Sequence, residues 1–230
     1  ALVAIGIGKM TFGGLGCNPF NPAIVGRCFL LVSFPATMTS WPVAGQQMAY
    51  TDAVTGATPL SLMKTAIKTG DVSVLQGLPD TVDMLLGNVA NGYGAGTIGE
   101  VCALALIAGL IWMLWRRVIT WHIPVTILAT VFVLSGALHV ANPVYAHPMA
   151  VVLSGGLMLG AIFMATDYVT SPMTHRGQVI YAVGIGVLTV VIRNWGSYPE
   201  GMSFAILIMN AFTPLINFYV KPKRFGEVSR

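Results

Sequence analysis

Charged residues are scarce in this sequence. Its 230 residues include only 12 Lys or Arg and 8 Asp or Glu, so charged residues make up 9% of the chain, whereas hydrophobic residues make up 55%. Because soluble domains carry about 25% charged residues, this composition excludes an ordinary soluble domain. A backbone in lipid must satisfy its hydrogen bonds internally, as helices do. The composition therefore predicts one all-α, polytopic membrane domain, a transmembrane helical bundle over residues 1–230.

Cysteine is also rare, and its spacing is uninformative. Cys17, Cys28 and Cys102 form no CxxC motif and no pairing pattern. This excludes a disulfide framework and a self-contained zinc or iron–sulfur site. The sequence predicts no metal site and no catalytic residue in this chain.

The first residues lack both an initiator Met and the features of a signal peptide. The opening run ALVAIGIG is apolar but shorter than the roughly 20 residues that a membrane span needs. It also has no basic region and no cleavage site. We interpret it as the tail of a longer helix and expect N-terminal spans that are missing from this sequence.

Long apolar runs are what the sequence does contain. Apolar segments of suitable length predict six spans. They cover about 22–39, 97–115, 122–138, 147–166, 178–193 and 201–219.

Basic residues predict the orientation of these spans, because Lys and Arg concentrate on the cytoplasmic side. One set of connections holds eight of the twelve basic residues: Lys9, Arg116, Arg117, Arg176, Lys221, Lys223, Arg224 and Arg230. The C-terminus and the Arg116–Arg117 turn are therefore predicted to be cytoplasmic, and segment 40–96 extracytoplasmic. Membrane lipid, anionic at the basic surface, is the expected partner, and the net charge of +4 requires no nucleic acid.

A short polar motif lies in the extracytoplasmic segment. Asp52, Thr55, Gly56, Ala57 and Thr58 fit the pattern D-x-x-[ST]-G-A-T. This pattern resembles the site at which a flavin transferase attaches FMN to threonine through a phosphoester, with Thr58 as the acceptor. Gly56 and Ala57 leave the backbone accessible to an enzyme and a bulky flavin. The alternative interpretation is a helix N-cap before Pro59.

A second glycine motif, GAGTIG at 94–99, has the spacing of a dinucleotide fingerprint. That fingerprint requires a strand and a soluble βαβ unit, whereas an apolar helix follows here. The start of a helix near Thr97 can instead bind an anion. We therefore expect Gly94, Gly96 and Thr97 to lie near the flavin, with a plain glycine-rich helix entry as the alternative.

Segments along nearly the whole chain resemble the D subunits of Rnf complexes, the ion-pumping ferredoxin:NAD oxidoreductases of bacteria and some archaea. They are 13–42 with its NPFNP sequence, the TGAT loop, GYGAGTIGE at 92–100, 163–186 and 192–210. The B subunit of the sodium-pumping NADH:quinone oxidoreductase is a homologue with the same flavin loop. The NPFNP sequence and the KPKR sequence in the C-terminal segment favour the Rnf family.

The resemblance implies an electron-transfer subunit with covalent FMN on Thr58, in a complex that pumps Na⁺ or H⁺ across the bacterial inner membrane. It implies the A, B, C, E and G subunits as partners, especially the flavin-carrying G subunit, and a flavin transferase for maturation. NAD and ferredoxin chemistry would belong to those partners. A non-covalent riboflavin near Gly13, Gly14 and Asn18 is a further implication, with a re-entrant structural loop as the alternative.

Charged residues within or at the ends of spans leave another function class open. They are Arg27, Glu100, Asp167, Arg193 and Glu200. Such residues serve ion pathways, or they form structural ion pairs and extend to the interface. Together with spans interrupted by glycine and proline, they also fit a secondary transporter without a redox cofactor.

Overall fold

The computed structural model describes residues 1–39, 58–87, 102–198 and 200–222. Every regular element in these ranges is helical, which confirms the predicted all-α class. The α-helices are α1 Pro22–Ser33, α2 Pro35–Thr39, α3 Pro59–Thr69, α4 Thr81–Leu86, α5 Ala103–Trp115, α6 His122–Ala141, α7 Pro148–Leu153, α8 Leu157–Leu159, α9 His175–Trp195 and α10 Met202–Tyr219. The remaining turns are π-helical at Leu2–Ile7 and Gly160–Met164 and 3-10 at Met10–Phe12 and Val72–Gly77.

Within the described ranges, three helices are long and apolar enough to cross a membrane. They are α6, α9 and α10, with 20, 21 and 18 residues and mean hydropathies of 2.0, 1.4 and 1.4. At 1.5 Å per residue, each reaches about 27 Å or more, close to the thickness of the hydrocarbon core. Well under half of each window is buried, and exposed apolar side chains such as Val133 and Phe212 face outward. The chain is therefore a polytopic membrane protein.

Close packing of α9 against α6 and α10 forms the centre of the bundle. Gly186 allows α6 to approach, since a Cβ at this position would lie 2.7 Å from Cβ of Thr130. Gly184 allows α10 to approach in the same way, because Met209 covers its Cα. Small residues commonly bring membrane helices together in this manner. Around these contacts the core is fully buried at Ile127, Leu157, Tyr181, Ile185 and Ile206.

The predicted span 147–166 is not one continuous helix. The chain leaves α7 at Ser154, whose backbone is extended, and Gly155 takes a left-handed φ of +63°. α8 then leads into the π-helical turn Gly160–Met164. The hydropathy of the segment correctly predicts that it lies in apolar surroundings. It does not predict the break, because Ser154 and two glycines scarcely lower the mean hydropathy of residues 147–166.

The predicted span 22–39 is also interrupted. α1 covers 12 residues and ends before Phe34, since Pro35 disfavours helical backbone at the residue that precedes it. Asn21 caps the start of α1. Asn210 lies halfway along α10, and its side-chain oxygen accepts a hydrogen bond from the backbone N of Asn21 at 3.2 Å. In this orientation the Asn210 amide nitrogen donates to the Tyr181 hydroxyl. Thus α1 begins inside the bundle. The Leu2–Ile7 turn, predicted to be helical, packs on α1 where Ala4 meets Gly26.

The other predicted spans lie close to the observed helices. The predictions 178–193 and 201–219 match α9 and α10, and 122–138 ends three residues before α6 does. The structure describes the predicted span 97–115 only from residue 102 onward, and this part agrees with α5. Of the predicted extracytoplasmic segment 40–96, the structure describes 58–87, which contains α3, the Val72–Gly77 turn and α4.

Candidate functional site

Thr58 is the N-cap of helix α3. Its backbone is extended, with φ −71° and ψ 151°, and Pro59 occupies the first helical position, where a missing N–H is tolerated. The Thr58 Oγ1 accepts a hydrogen bond from the backbone N of Ser61 at 3.2 Å. The Ser61 Oγ donates in return to the Thr58 carbonyl at 2.7 Å. The helix-cap interpretation is thereby confirmed, and it is compatible with a modified hydroxyl at the same position.

The other predicted site residues lie outside the described residues. Asp52, Thr55, Gly56 and Ala57 precede the described segment that begins at Thr58, and Gly94, Gly96 and Thr97 fall between residues 87 and 102. Their proximity to one another and to Thr58 stays a prediction.

Helix α3 is docked by its apolar face. Leu60 and Met63 are buried and pack with Ala146 and Ala150, at the start of the broken span. Leu60 lies directly against the Cα of Gly155, so a Cβ at this position would overlap its Cδ1. The break between α7 and α8 therefore forms the seat on which the first turn of α3 rests.

Two buried cations fix the helices around this seat. The ammonium of Lys64 on α3 donates to the carbonyl oxygens of Gly196 and Tyr198, the latter at 2.9 Å, where α9 has ended. The Arg193 guanidinium on α9 donates to the carbonyl of Val151 at 2.8 Å and to that of Ser154 at 3.0 Å. Both side chains are less than a tenth exposed. Arg193 thus binds carbonyls at the end of α7, and Lys64 binds backbone carbonyls in the segment that follows α9.

Burial also changes the protonation equilibrium of Lys64. Loss of hydration lowers the pKa of its ammonium below the ordinary value of 10.5, and the nearby positive charge of Lys68 lowers it further. In the part of the chain that the structure describes, no carboxylate forms an ion pair with Lys64.

The docked helix lies at one end of the bundle. Its neighbours Ser135 and Leu138 belong to the last turns of α6, and Arg193 to the last turn of α9. The Arg116–Arg117 turn precedes the first turn of α6, at the opposite end. Thr58 and the basic turn are therefore separated by the length of the bundle.

The predicted intramembrane charges have different surroundings. Arg27 on α1 forms an ion pair with Glu200, and both side chains are about a fifth exposed. Asp167 accepts a hydrogen bond from Thr170 within a turn. The Arg27–Glu200 contact fits a structural tie between α1 and the start of α10. Glu100 lies outside the described residues.

The loop before α1 uses its polar groups within the chain. Gly13 and Gly14 adopt left-handed φ values of +104° and +88°. Asn18 is buried and donates to the carbonyl of Phe20 at 2.9 Å. Asn21 caps α1 and donates to the carbonyl of Met164 at 3.2 Å. These bonds are those expected of a re-entrant structural loop.

Lys64, six residues after Thr58 on the same helix, was not predicted from the sequence as a functional or structural residue. A usable signal is present, because Leu60, Met63, Lys64 and Ile67 follow the i, i+3, i+4, i+7 spacing of one helix face. A lysine on an otherwise apolar face indicates a buried ammonium with specific partners.

The fold and the docked helix define a polytopic helical membrane protein with a capped threonine at one end of its bundle. The chain belongs to the NQR2, RnfD, RnfE family, whose model matches residues 1–226.

Individual relatives agree with this membership. The chain is 45% identical to the D subunit of the Na⁺-translocating ferredoxin:NAD⁺ oxidoreductase complex of Acetobacterium woodii, over 98% of the chain and 65% of the relative. It is 41% identical to the D subunit of the proton-translocating ferredoxin:NAD⁺ oxidoreductase complex of Clostridium ljungdahlii, over 98% of the chain and 67% of the relative. It is 40% identical to the D subunit of the ion-translocating oxidoreductase complex of Halorhodospira halophila, over 98% of the chain and 68% of the relative. The chain thus spans about two thirds of the length of these relatives.

Proposed function

We propose that the chain is a membrane electron-transfer subunit of an ion-pumping ferredoxin:NAD⁺ oxidoreductase complex, and that it carries FMN bound covalently to Thr58. The relatives support the first part, since each is the D subunit of an ion-translocating oxidoreductase complex. The second part is supported by the position of Thr58 as the cap of a docked helix.

The single observation that carries the flavin site is the orientation of the Thr58 hydroxyl. Its oxygen lies 3.2 Å from the backbone N of Ser61, in the first turn of α3. A phosphodiester on this oxygen would lie at the positive end of the helix dipole, where backbone N–H groups favour anions. Flavin supplies one- and two-electron transfer whose potential follows the surrounding charges. The residues present therefore fit the group.

We propose the surroundings of the two ends of the bundle from the distribution of basic residues. The end with α3 is extracytoplasmic, and the Arg116–Arg117 turn and the C-terminus are cytoplasmic, in a bacterial inner membrane. The partners are the A, B, C, E and G subunits, with the G subunit as the electron donor or acceptor nearest to Thr58, together with membrane lipid and the flavin transferase. NAD and ferredoxin bind to those partners, and this chain supplies the passage through the membrane.

A non-covalent riboflavin at Gly13, Gly14 and Asn18 is a separate proposal. The internal hydrogen bonds of Asn18 and Asn21 support the alternative of a structural loop. Flavin extracted without cleavage of any covalent bond would favour the riboflavin.

Substitution of Thr58 tests the covalent site. We expect Thr58→Asn to abolish flavin fluorescence of the denatured protein on a gel, when it is made together with the transferase. Asparagine keeps an N-cap acceptor but has no hydroxyl to esterify, so the helix is retained. A mass spectrum of the parent peptide should show one added FMN less one water on Thr58.

Thr65→Val is the matched control, because Thr65 is an exposed hydroxyl two turns along the same helix. It should leave the fluorescence unchanged. Parent protein without covalent flavin would contradict the proposal and favour a transporter without a redox cofactor. Flavin fluorescence retained in Thr58→Asn would show that the flavin is attached to another residue.

The matched family also includes NQR2, which we take to represent the quinone-reducing homologue of the Rnf subunits. Purified complex that reduces NAD⁺ with reduced ferredoxin would support the proposal. Reduction of quinone by NADH, without a ferredoxin reaction, would assign the chain to the other branch.

A further inference from the structure

A small cavity lies beside α3, between this helix, the last turns of α6, the segment before α7 and the end of α9. Its volume is about 30 Å³. By the same measure one water needs about 10–15 Å³, so the cavity admits a group of one or two heavy atoms. Its walls are mostly aliphatic, with Met63 and Ile67 on α3, Leu138 on α6 and Val190 on α9. We refer to it as the Lys64 cavity.

The charged side chains that line the Lys64 cavity are both positive. They are Lys64 on α3 and Arg193 on α9, and Tyr145 is the remaining titratable residue of the lining. Among the described residues, no carboxylate lines this cavity. Lys64 is only 8% exposed. A small, mostly apolar cavity is thus combined with a buried positive charge.

The ammonium of Lys64 has the capacity for one more partner. It carries three N–H groups, and the carbonyls of Gly196 and Tyr198 accept two hydrogen bonds from it. The described part of the chain supplies neither a further acceptor nor a carboxylate. Burial lowers the pKa of this ammonium, which is the response of a charge whose lost hydration is incompletely replaced. An anion beside Lys64 supplies the opposite charge that a buried ammonium requires.

We propose that the Lys64 cavity binds one small monovalent anion of about the size of chloride, with the Lys64 ammonium as its charged ligand. The volume of the cavity admits chloride or bromide and excludes larger organic anions. The bound anion holds Lys64 in place between α3 and the segment after α9, and so stabilises the docked position of α3. This site does not depend on a flavin at Thr58.

The test compares chloride with gluconate, an anion too large for the cavity. The full chain is unfolded by heat in detergent, at equal concentrations of the two sodium salts, so that Na⁺ and ionic strength stay constant. A ligand that binds only the folded state raises the Tm with its concentration. We expect the Tm to rise with chloride and with bromide, relative to gluconate.

Lys64→Met keeps the aliphatic stem and removes the charge, so it should abolish the difference between chloride and gluconate. Lys68→Met is the matched control, because Lys68 is exposed one turn further along α3. It should retain the full difference.

A second variant leaves the buried ammonium and its hydrogen bonds in place. Ile67→Phe adds bulk to the wall of the Lys64 cavity, and should abolish the chloride effect by filling the space. Thr65→Phe adds a ring on the exposed side of the same helix and should retain the effect. This pair keeps the test decisive if Lys64→Met does not fold.

Two results would overturn the anion site. Equal Tm values of the parent in chloride and gluconate would show that the cavity holds water only. A chloride effect of the same size in the parent, Lys64→Met and Ile67→Phe would assign it to a general action of the salt. Neither result bears on the proposed function, because flavin fluorescence on a denaturing gel does not depend on a bound anion.

Discussion

Lys64 shows how one residue connects three helices. Its aliphatic stem lies on the buried face of α3, and its ammonium binds two carbonyls beyond the end of α9. A buried ammonium is unfavourable unless its donors are satisfied, and an aliphatic replacement loses these bonds while removing the cost of burying the charge. The residue type is readable from the sequence, but its acceptors are not, since they lie 132 and 134 residues away.

The lowered pKa of Lys64 predicts a pH dependence of stability. The folded state disfavours the ammonium relative to the unfolded state, whose pKa is near the ordinary 10.5. Proton loss therefore occurs first in the folded protein, and stability increases as the pH rises from the folded pKa towards 10.5. We expect this increase in the parent and its absence in Lys64→Met, measured as thermal stability in detergent at increasing alkaline pH.

Lys68→Met provides the comparison for this measurement, because it removes a lysine at the surface of the same helix. It should keep most of the increase. Parallel pH profiles for the parent and Lys64→Met would show that another group causes the dependence.

At the scale of elements, the break between α7 and α8 and the docking of α3 depend on each other. Arg193 binds the carbonyls that α7 leaves free, and Leu60 covers the glycine at which the chain turns. A helix terminus in an apolar environment requires such partners for its carbonyls. The docking site of α3 is therefore built from an interruption in a membrane helix.

Gly155→Ala should undock α3. The residue has φ +63°, where a Cβ costs about 1–2 kcal/mol, and the added methyl would overlap Leu60. Overpacking adds about 1–3 kcal/mol, so we expect a total loss of about 2–5 kcal/mol. Thermal stability should fall, and trypsin should cleave after Lys64, which is buried in the parent.

Gly77→Ala is the control for this substitution. Its φ is not left-handed, and a Cβ there would make an ordinary contact with Leu62 at 3.9 Å. Equal stability and equal protease resistance of the two variants would contradict the role of Gly155 as the seat of α3.

The sequence predicted the long helices better than the interrupted ones. α6, α9 and α10 follow from uninterrupted apolar runs, and the threonine cap follows from Thr58 and Pro59. The break at Ser154 and the start of α1 inside the bundle depend on contacts with Arg193 and Asn210, which local hydropathy does not contain.

For the whole molecule, the separation of Thr58 from the basic Arg116–Arg117 turn predicts which residues face each compartment. In a variant with Cys17, Cys28 and Cys102 replaced, Thr69→Cys should react with a membrane-impermeant maleimide in spheroplasts. Arg116→Cys should react only in inverted vesicles. Both positions are exposed, so access to the label depends on the side of the membrane.

The reverse labelling pattern would place α3 in the cytoplasm and reject the orientation that the basic residues predict. Leaky spheroplasts would label both positions, and Arg117→Cys, in the same turn as Arg116, would then react as well.

The bonds from Lys64 to Gly196 and Tyr198 also set an order of events during synthesis. α3 leaves the ribosome 134 residues before its last acceptor. At about 5–20 residues per second this is a delay of roughly 7–27 s. During this interval α3 lacks the two acceptors of Lys64, and under the proposed function this is when Thr58 is most accessible to the transferase. Docking of Lys64 becomes possible only after residues 196 and 198 have been made.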